Sequence, residues 1–544
     1  CDHLHRHGNC GRSTTVLIPP TGGYGPVVSS SVSESTSAPL APGDGTGSLS
    51  TGWRLLLSAG SGALLVLAFP PYGLWPLAIV AVAALTLLVR DTGIGPATII
   101  GGIFGMVFFL GLMPWLRVIG WDAWIGLSLL CAAFIAALAV GLAILTRWPW
   151  WPLSTAALWV SMEFIRDHVP WGGFPWGRLA FANSDTTFTG WVAVGGAPLV
   201  TFAVALTAGL LAAAVVNYRT ARMLGSLLAL AAVVVASGIF IPRPTDGETI
   251  TAAVVQGNVP RTGMDAFGQR EAVLRGHVDA TLGLASAVAA GTVEQPDVVI
   301  WPENASDIDP VLDQSAYDLI DEAVRAVNSP TLVGIVSETP DGSMLLNSGV
   351  VWSPTSGPGA TYVKRHPVPF GEYVPFRDFL SRYISRLDRV PRDFAAGDAP
   401  GVLELGPVVA GDVICFEVAF DELVRDVVLG GADVITVQTN NATYGGTGQV
   451  EQQLALSQLR AVEHGRSVLV AATSGISAII APDGRIQMRT PEFTQQVLVD
   501  DVIVRHGRTL ATRLGALPEL AITIGGFGAL AFGALGSRRR RGRP

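Results

Sequence analysis

Three residues stand at the ends of short apolar segments and have side chains that together support acyl chemistry. Glu303 closes "VVIWPE", Lys364 closes "ATYVK" and Cys415 closes "GDVIC". A thiol becomes a strong nucleophile only as the thiolate, so a nearby carboxylate has to accept its proton. An ammonium group then stabilises both the thiolate and the oxyanion that develops when a carbonyl is attacked. The three residue types therefore predict nucleophilic catalysis by a cysteine.

Each of these residues also has an ordinary explanation. An acid after an apolar strand is commonly a solvated loop residue, and a cysteine there is commonly a small buried hydrophobe. Lys364 argues for the catalytic interpretation, because it is the sole lysine among the 35 basic side chains of the sequence. Lysine is a compact point charge, whereas arginine is a broad planar fork. A position beside a small tetrahedral centre accepts the first and excludes the second.

The elements that must position these residues lie in a chain that is too apolar to be wholly soluble. It has 544 residues, of which 49% are hydrophobic and 14% charged, and its mean hydropathy is +0.45. A soluble domain has about 25% charged residues, so part of this chain is expected to lie in a membrane. The net charge of −8 argues against nucleic acid as the main partner, since phosphate binding needs a basic face. The four cysteines lack the close, even spacing of a disulfide scaffold.

Eight apolar runs are candidates for membrane spans, each of which takes about 20 residues in a helix. The first two and the fifth are short. The runs are 54–69, 73–89, 96–113, 122–146, 151–166, 188–216, 222–241 and 515–535.

The orientation of these spans follows from the positions of the arginines. The tail "SRRRRGRP" predicts a cytoplasmic C-terminus. Alternating spans then put the segment of about 245–512 on the extracytoplasmic side. The bias is imperfect, because four arginines fall on the cytoplasmic side and three on the outer side. The first group is Arg90, Arg147, Arg219 and Arg222, and the second is Arg117, Arg166 and Arg178.

The segment of about 245–512 has a different pattern. Short runs such as "ITAAVVQ", "TLVGIV" and "DVITVQT" alternate with amphipathic stretches such as "QVEQQLALSQLRAVEHG". This alternation predicts a layered α/β domain. Such domains form their sites from polar residues at strand ends, which is where Glu303, Lys364 and Cys415 occur.

The order of "WPE", "YVKRH" and "ICFE" resembles the nitrilase superfamily. The further motifs "QGN", "VPFGEYVP" and "TNNATYG", with "AFPPYG" and "GFPWGRLA" in the apolar region, are similar to its membrane branch, the apolipoprotein N-acyltransferase family. The resemblance covers about residues 52–535. It implies a multi-domain fold, with a transmembrane helix bundle of about eight spans and an extracytoplasmic nitrilase-like αββα sandwich.

The resemblance also implies roles for individual residues. The catalytic glutamate, lysine and cysteine of the family fall on Glu303, Lys364 and Cys415, and its supporting carboxylates fall on Glu372 and Glu417. Asn441, in "TNNATYG", is expected to order the loop beside the site. One departure is Phe416, where the family often has a tyrosine, so a hydroxyl is lost there.

The implied reaction has two halves. The cysteine takes an acyl chain from a membrane phospholipid as a thioester, and the amine of a lipoprotein's diacylglyceryl-modified N-terminal cysteine then takes the chain as an amide. The implied partners are these two lipids, and the implied location is the cytoplasmic membrane, with the catalytic domain on the extracytoplasmic side. The chemistry requires no cofactor and no metal.

Two alternatives remain open from the sequence. In a membrane-tethered nitrilase-type amidase the same three residues would act, with water resolving the thioester. In a transporter or sensor the outer domain would only bind a ligand, but the spans carry few of the charges that transport pathways use.

The sequence also predicts domain boundaries and an interfacial arm. The arm is a helix in 374–387 whose apolar face would dip into the membrane interface, the alternative being a face buried in the core. Its face comprises Phe376, Phe379, Leu380, Tyr383 and Ile384. The predicted domains are a disordered leader (1–50), a transmembrane bundle of about seven spans (51–244), the nitrilase-like catalytic domain (245–512), a final transmembrane helix (513–536) and a basic cytoplasmic tail (537–544).

Overall fold

The computed structural model of the chain describes residues 50–259, 269–380, 382, 387 and 390–541, with the backbone alone for 380 and 537–541. The predicted leader lies outside the described residues except for Ser50, and so do residues 542–544 of the predicted tail.

Seven helices of the described chain coincide with the first seven predicted apolar runs. They are apolar on most sides, which is typical of helices that pack in a bundle or face lipid. They are α1 (Thr51–Ala68), α2 (Pro76–Val89), α3 (Ile94–Leu112), α4 (Trp121–Leu145), α5 (Trp151–Arg166), α6 (Val192–Val216) and α7 (Ala221–Ser237).

Twelve strands in the described residues form two six-stranded sheets. The first sheet has the order β12-β1-β2-β3-β4-β5 and the second the order β11-β10-β9-β8-β7-β6. Within each sheet three strands run parallel, β1-β2-β3 and β7-β8-β9. The strands are β1 (Glu248–Gln256), β2 (Val298–Ile300), β3 (Thr331–Glu338), β4 (Leu345–Ser353), β5 (Gly357–Val363), β6 (Gly401–Leu405), β7 (Val408–Ile414), β8 (Val434–Thr439), β9 (Val468–Ala472), β10 (Ala478–Ile480), β11 (Ile486–Arg489) and β12 (Gln496–Val504).

The remaining helices cover the sheets and close the chain. They are α8 (Arg270–Ala289), α9 (Gln314–Val327), α10 (Arg377–Leu380), α11 (Asp421–Leu429), α12 (Gly448–His464), α13 (Leu510–Leu514) and α14 (Leu517–Arg541). The last of these contains the eighth predicted run. By length and composition, six helices of the described chain are able to cross a membrane. Two more helices of the bundle are shorter, α2 with 14 residues and α5 with 16.

The two sheets stack face to face between two layers of helices, which is the predicted αββα arrangement. Apolar residues of both inner faces, such as Ile300 and Ile414, form the core between the sheets. The helices α8 and α9 pack on the outer face of the first sheet. The helices α11 and α12 cover the second sheet, and one continuous apolar core joins them to the helix bundle. The sandwich therefore sits on the bundle through the α11–α12 layer.

The described part of the predicted arm contains helix α10, and residues 381 and 383–386 lie outside the described residues. At the start of α10, the guanidinium of Arg377 binds Asp393 and the carbonyl oxygen of Val390. The side chains of Phe376 and Phe379 are 70% and 61% exposed, so the core-facing alternative is wrong for these two residues. The predicted face residues Tyr383 and Ile384 lie outside the described residues.

Candidate active site

The ends of three strands from the two sheets bring the predicted residues together. Lys364 follows β5 and its Nζ lies 3.1 Å from Oε1 of Glu303, which follows β2 in the same sheet. The same Nζ lies 2.8 Å from Oε1 of Glu372. Cys415 follows β7 of the second sheet, and its thiol interacts electrostatically with all three of these groups. The arrangement combines a thiol, an ammonium and two carboxylates.

An asparagine that the sequence analysis did not identify completes this cluster. Nδ2 of Asn347 donates to Oε1 of Glu303 at 2.7 Å and to Oε1 of Glu372 at 2.8 Å. It therefore holds both carboxylates at the positions where they meet Lys364. The only signal in the sequence was an amide side chain at the start of the apolar strand segment "NSGVVW".

The second oxygen of Glu303 is also held. Oε2 accepts a hydrogen bond of 2.8 Å from the backbone N–H of Asn440, which follows β8. Because one oxygen binds Lys364 and Asn347 and the other binds the backbone, the carboxylate has a fixed orientation. Such an orientation suits a general base, which has to meet one proton in one direction.

The thiol of Cys415 is a protonated group in the resting site. Burial and, to a smaller extent, Glu303 raise its pKa, Lys364 and a hydrogen bond with Thr439 lower it, and the net result is a pKa of about 12. The backbone at Cys415 has φ of +56°, in the left-handed region that few side chains adopt. This conformation turns the chain sharply from β7 into the short 3₁₀ helix Cys415–Ala419. A thiolate therefore forms only if a neighbouring base takes the proton.

Lys364 remains charged although it is only 1% exposed. Burial alone lowers its pKa, but Glu303, Glu372 and Cys415 raise it well above its ordinary value. A buried ammonium needs such partners, because an isolated charge in the interior is costly.

Glu417 holds the two chain segments of the site together. Its carboxylate accepts hydrogen bonds from the backbone N–H groups of Arg365 at 2.7 Å, His366 at 2.9 Å and Ile414 at 2.7 Å. The hydroxyl of Tyr362 adds a bond of 2.9 Å to each of the two oxygens. The carboxylate thus fixes the segment after Lys364 against the turn at Cys415.

Asn441 lies behind the site in a buried amide network. Its Nδ2 donates to Gln449 at 2.7 Å and to Gln453 at 2.8 Å, both on α12. Gln453 in turn donates to Oγ1 of Thr439 at 3.0 Å. Since Thr439 contacts the thiol of Cys415, this network fixes the position of a hydroxyl beside that thiol.

Aromatic side chains of the bundle border the turn that carries Cys415. The ring of Phe416 stacks near Phe174 and Trp176 of the loop after α5, with centroids 5.9 Å and 6.2 Å away. Trp115 contacts Trp176 on one side and Tyr444 on the other. The residue that departs from the family pattern therefore packs in an aromatic wall, where a phenyl ring suffices.

A buried ionic cluster joins the bundle to the same turn. Arg178, after α5, lies 2.9 Å from Asp421 at the start of α11, and Arg460 of α12 lies 2.7 Å from the same carboxylate. Arg460 also donates to the carbonyl oxygens of Val418 and Ala419, at 2.8 Å and 2.9 Å.

Glu463 belongs to this cluster as an ion-pair partner of Arg460. From the sequence, Glu463 could be structural or part of a hydrogen-bond network. The structure shows it buried and paired with Arg460.

The chain is similar to known proteins over most of its length. Residues 61–210 match the family model described as the apolipoprotein N-acyltransferase N-terminal domain, and residues 251–510 match the carbon-nitrogen hydrolase model. A relative from Mycolicibacterium smegmatis named apolipoprotein N-acyltransferase is 38% identical over an aligned length of 512, and the match covers 89% of this chain and 86% of the relative. A relative of the same name from Azotobacter vinelandii is 31% identical over 86% of this chain and 93% of its own length.

Among solved structures, a mutant of the Nesterenkonia AN1 amidase from the nitrilase superfamily is 18% identical to this chain. The match covers 47% of this chain and 92% of that one, with a TM-score of 0.36.

Proposed function

Because the chain belongs to the apolipoprotein N-acyltransferase family, we propose that Cys415 carries an acyl group from a membrane phospholipid to the amino terminus of a lipoprotein. The protein is an acyltransferase of lipoproteins and a multi-pass membrane protein. The observation that supports this assignment of residues is the buried cluster in which Lys364 binds both carboxylates and interacts with the thiol of Cys415.

In the first half-reaction, Glu303 accepts the proton of Cys415 and the thiolate attacks an ester carbonyl of the phospholipid. The developing oxyanion is stabilised by Lys364 and by a backbone N–H at the start of the 3₁₀ helix Cys415–Ala419. When the C–O bond of the ester breaks, Glu303 returns the proton to the leaving alkoxide. Lysophospholipid departs and the acyl chain remains on Cys415 as a thioester.

In the second half-reaction, the neutral α-amine of the lipid-modified cysteine of the lipoprotein attacks the thioester. Glu303 takes a proton from the nitrogen and passes it to the departing sulfur of Cys415. The products are an amide and the free thiol. Because a thioester is more reactive than an amide, the transfer runs toward the acylated lipoprotein, and ping-pong kinetics follow.

The sidedness and the domain bounds belong to the same proposal. The C-terminal end of α14 packs at the end of the bundle that carries Arg147, since Gly533 and Gly536 contact Trp148. The other end of the bundle contacts the sandwich. With the arginine-bearing end in the cytoplasm, the segment 245–512 is the extracytoplasmic catalytic domain. The segments 51–244 and 513–536 are its membrane anchor.

Mass spectrometry of the purified enzyme tests the proposed nucleophile. After incubation with a phospholipid of defined acyl composition, the mass of one acyl chain is expected on the peptide that contains Cys415, with release of lysophospholipid. Cys415→Ser should show neither, because an alkoxide is far harder to form than a thiolate. Acyl mass on another residue would overturn the assignment.

A second step of the same experiment separates acyl transfer from hydrolysis. Addition of a diacylglyceryl-modified lipopeptide with a free α-amine should remove the acyl mass and yield an amide. If the acyl mass is lost only as a free fatty acid, water resolves the thioester and the protein acts as a hydrolase.

A further inference from the structure

A pocket opens beside Glu303, and the residues that follow Glu303 in the chain line it. Asn304 and Asp307 form one wall, and Asn440 and Thr443 form another. Asn304 adopts a left-handed backbone conformation with φ of +54°. The two neighbouring side chains therefore separate, so that Glu303 meets Lys364 while Asn304 faces the pocket.

The pocket adjoins the catalytic base through Asn440. The backbone N–H of this residue binds Oε2 of Glu303 at 2.8 Å, and the residue also lines the pocket. Only Asn440 therefore separates a group bound in the pocket from the carboxylate of Glu303, which exchanges protons with Cys415. The two half-reactions described above assign no role to this space.

Asp307 gives the pocket a negative charge. Burial raises the pKa of Asp307, a hydrogen bond from Asn304 and the charge of Arg270 lower it, Glu303 raises it, and the net result is a pKa of about 6. The group is therefore ionised at neutral pH. Among the residues described, none forms a salt bridge with Asp307 within 4.0 Å. A half-buried carboxylate that lines a pocket without a close cationic partner is a site for a cationic ligand.

The lipoprotein acceptor supplies such a cation. An α-amino group has a pKa of about 7.7–8.0, so at neutral pH the acceptor arrives mostly as an ammonium ion. We propose that Asp307 binds this α-ammonium group beside Glu303 before the thioester is attacked. This inference rests on the proposed function, and it names the residue that recognises the second substrate.

The proton balance agrees with this role. The acceptor nitrogen loses two protons when an ammonium becomes an amide. Asp307 takes the first proton and releases it to water, which leaves a neutral amine that is able to attack. Glu303 takes the second proton as the C–N bond forms, and it delivers that proton to the sulfur of Cys415 as the C–S bond breaks.

The test compares Asp307→Asn and Asp307→Glu with the wild type in three separate assays. The first follows lysophospholipid release without an acceptor, using one donor with an ethanolamine headgroup and one with a glycerol headgroup, which has no ammonium. The second follows cleavage of the acyl-enzyme by hydroxylamine, a small nucleophile that is uncharged at neutral pH. The third measures KM and kcat for the diacylglyceryl lipopeptide.

Asp307→Asn is expected to raise KM for the lipopeptide about tenfold and to leave the other two assays within twofold of wild type. Asp307→Glu should retain part of the affinity. The wild-type KM should also rise as the pH falls below about 6, where Asp307 gains a proton, and Asp307→Asn should lack this rise. Glu271→Gln is the matched control, because it removes an exposed carboxylate from the first turn of α8, where it pairs with Arg275.

Three outcomes would overturn the inference. An unchanged KM for the lipopeptide would show that Asp307 does not bind the acceptor. An equal loss in all three assays would show a structural role. Slower acylation from the ethanolamine lipid alone would show that the pocket binds the donor headgroup. Failure of the proposed function is distinguishable, because wild-type enzyme would then form the thioester and yield no amide with any lipopeptide.

Discussion

Lys364 occupies a position that suits an ammonium group and does not suit a guanidinium. Its Nζ lies within 3.1 Å of one carboxylate and 2.8 Å of another, and the side chain is only 1% exposed. A guanidinium is wider and presents its N–H groups in one plane, so it cannot direct a single charge into this space. The solitary lysine of the sequence thus stands where a compact cation is required.

We expect Lys364→Arg to abolish formation of the acyl-enzyme although the charge is kept. The broader head displaces Glu303 or Glu372 and leaves the oxyanion without its partner, and loss of such a group typically costs about 10²–10³ in kcat. Lysophospholipid release in a single turnover measures the effect. Glu303→Gln should slow the same step. If Lys364→Arg acylates at close to the wild-type rate, the requirement for lysine is refuted.

Asp412, in β7, is a second buried group whose protonation state follows from geometry. Its Oδ1 accepts from Thr436 at 2.8 Å, while Oδ2 and Oε1 of Gln438 both lack a partner among the described residues. A Cβ placed on Gly349 would lie 2.2 Å from Oδ2 of Asp412 and 2.6 Å from Oε1 of Gln438. The two acceptor oxygens are therefore close to the same point beside the glycine. A proton on Asp412 turns this conflict into a hydrogen bond.

Stability should therefore depend on pH through Asp412. Burial raises its pKa, a hydrogen bond with Thr436 lowers it, Glu417 and Glu303 raise it, and the net result is a pKa of about 8. Between the unfolded pKa of about 3.9 and that value, the folded state holds a proton that the unfolded chain has lost. The free energy of unfolding then falls by up to about 1.4 kcal/mol per pH unit as the pH rises.

Asp412→Asn should remove this dependence, because an amide N–H donates to Gln438 without titrating. We expect the melting temperature of the variant to exceed that of wild type by several degrees at pH 8.5, and the two to be close at pH 4 to 5. A thermal-shift series across pH measures the difference. Equal pH profiles would show that Asp412 is ionised in the folded protein.

At the scale of elements, hydropathy located the helices of the bundle, and the ends of apolar strand segments located the three site residues. The predicted run 151–166 coincides with α5, and 122–146 differs from α4 by one residue at each end. Glu303, Lys364 and Cys415 each follow a strand as expected, because apolar β-branched runs end where the chain leaves the core. These features are local, and a single sequence contains them.

The contacts between elements could not be predicted from the sequence as readily. Asn347 lies in the middle of the antiparallel pair β3–β4, and its partners Glu303 and Glu372 come from segments 44 and 25 residues away. Tyr362 lies in β5, two residues before Lys364, yet it binds Glu417, which follows β7 of the other sheet. Such pairings depend on how the two sheets stack, and a motif of neighbouring residues does not specify that.

The exposed phenylalanines beside α10 lead to a prediction about membrane contact. Phe370, six residues before Phe376, packs edge-to-face against Trp171 of the loop after α5, so this segment starts beside the bundle. Replacing Phe376 and Phe379 with serine should lower acyl transfer from phospholipid vesicles about tenfold. Thermal stability should stay within about 2 °C of wild type, because both side chains are mostly exposed and substitutions at exposed positions cost little.

The control for this pair replaces Val311 and Leu312, which are 82% and 69% exposed on the loop between β2 and α9. That change removes a similar exposed apolar area at a different place and should leave transfer from vesicles intact. Unchanged transfer with a lower melting temperature for the phenylalanine variant would instead indicate a packing role.

At the scale of the whole molecule, two of the three arginines that break the charge bias have a structural explanation. Arg147 donates to the carbonyl oxygen of Thr92 at the end of the bundle away from the sandwich. Arg166 and Arg178 lie at the other end, and both are buried against acidic partners such as Asp167. Their positive charges are compensated within the protein, so they do not act as the uncompensated loop charges that set topology.

We therefore expect Arg178 to contribute strongly to the stability of the interface between the bundle and the sandwich. Its guanidinium lies 2.9 Å from Asp421 of the sandwich and 3.3 Å from Asp167 of the bundle. Arg178→Gln leaves these carboxylates buried and underpaired, which typically costs about 3–5 kcal/mol. We expect a clearly lower melting temperature in detergent and faster proteolytic release of the sandwich. Arg117→Gln, at an exposed arginine on the same side of the bundle, is the control.

The combination of Arg178→Gln with Asp421→Asn should recover part of the lost stability, because the unpaired charge is removed. Equal melting temperatures for the two arginine variants would show that the ionic cluster does not hold the domains together.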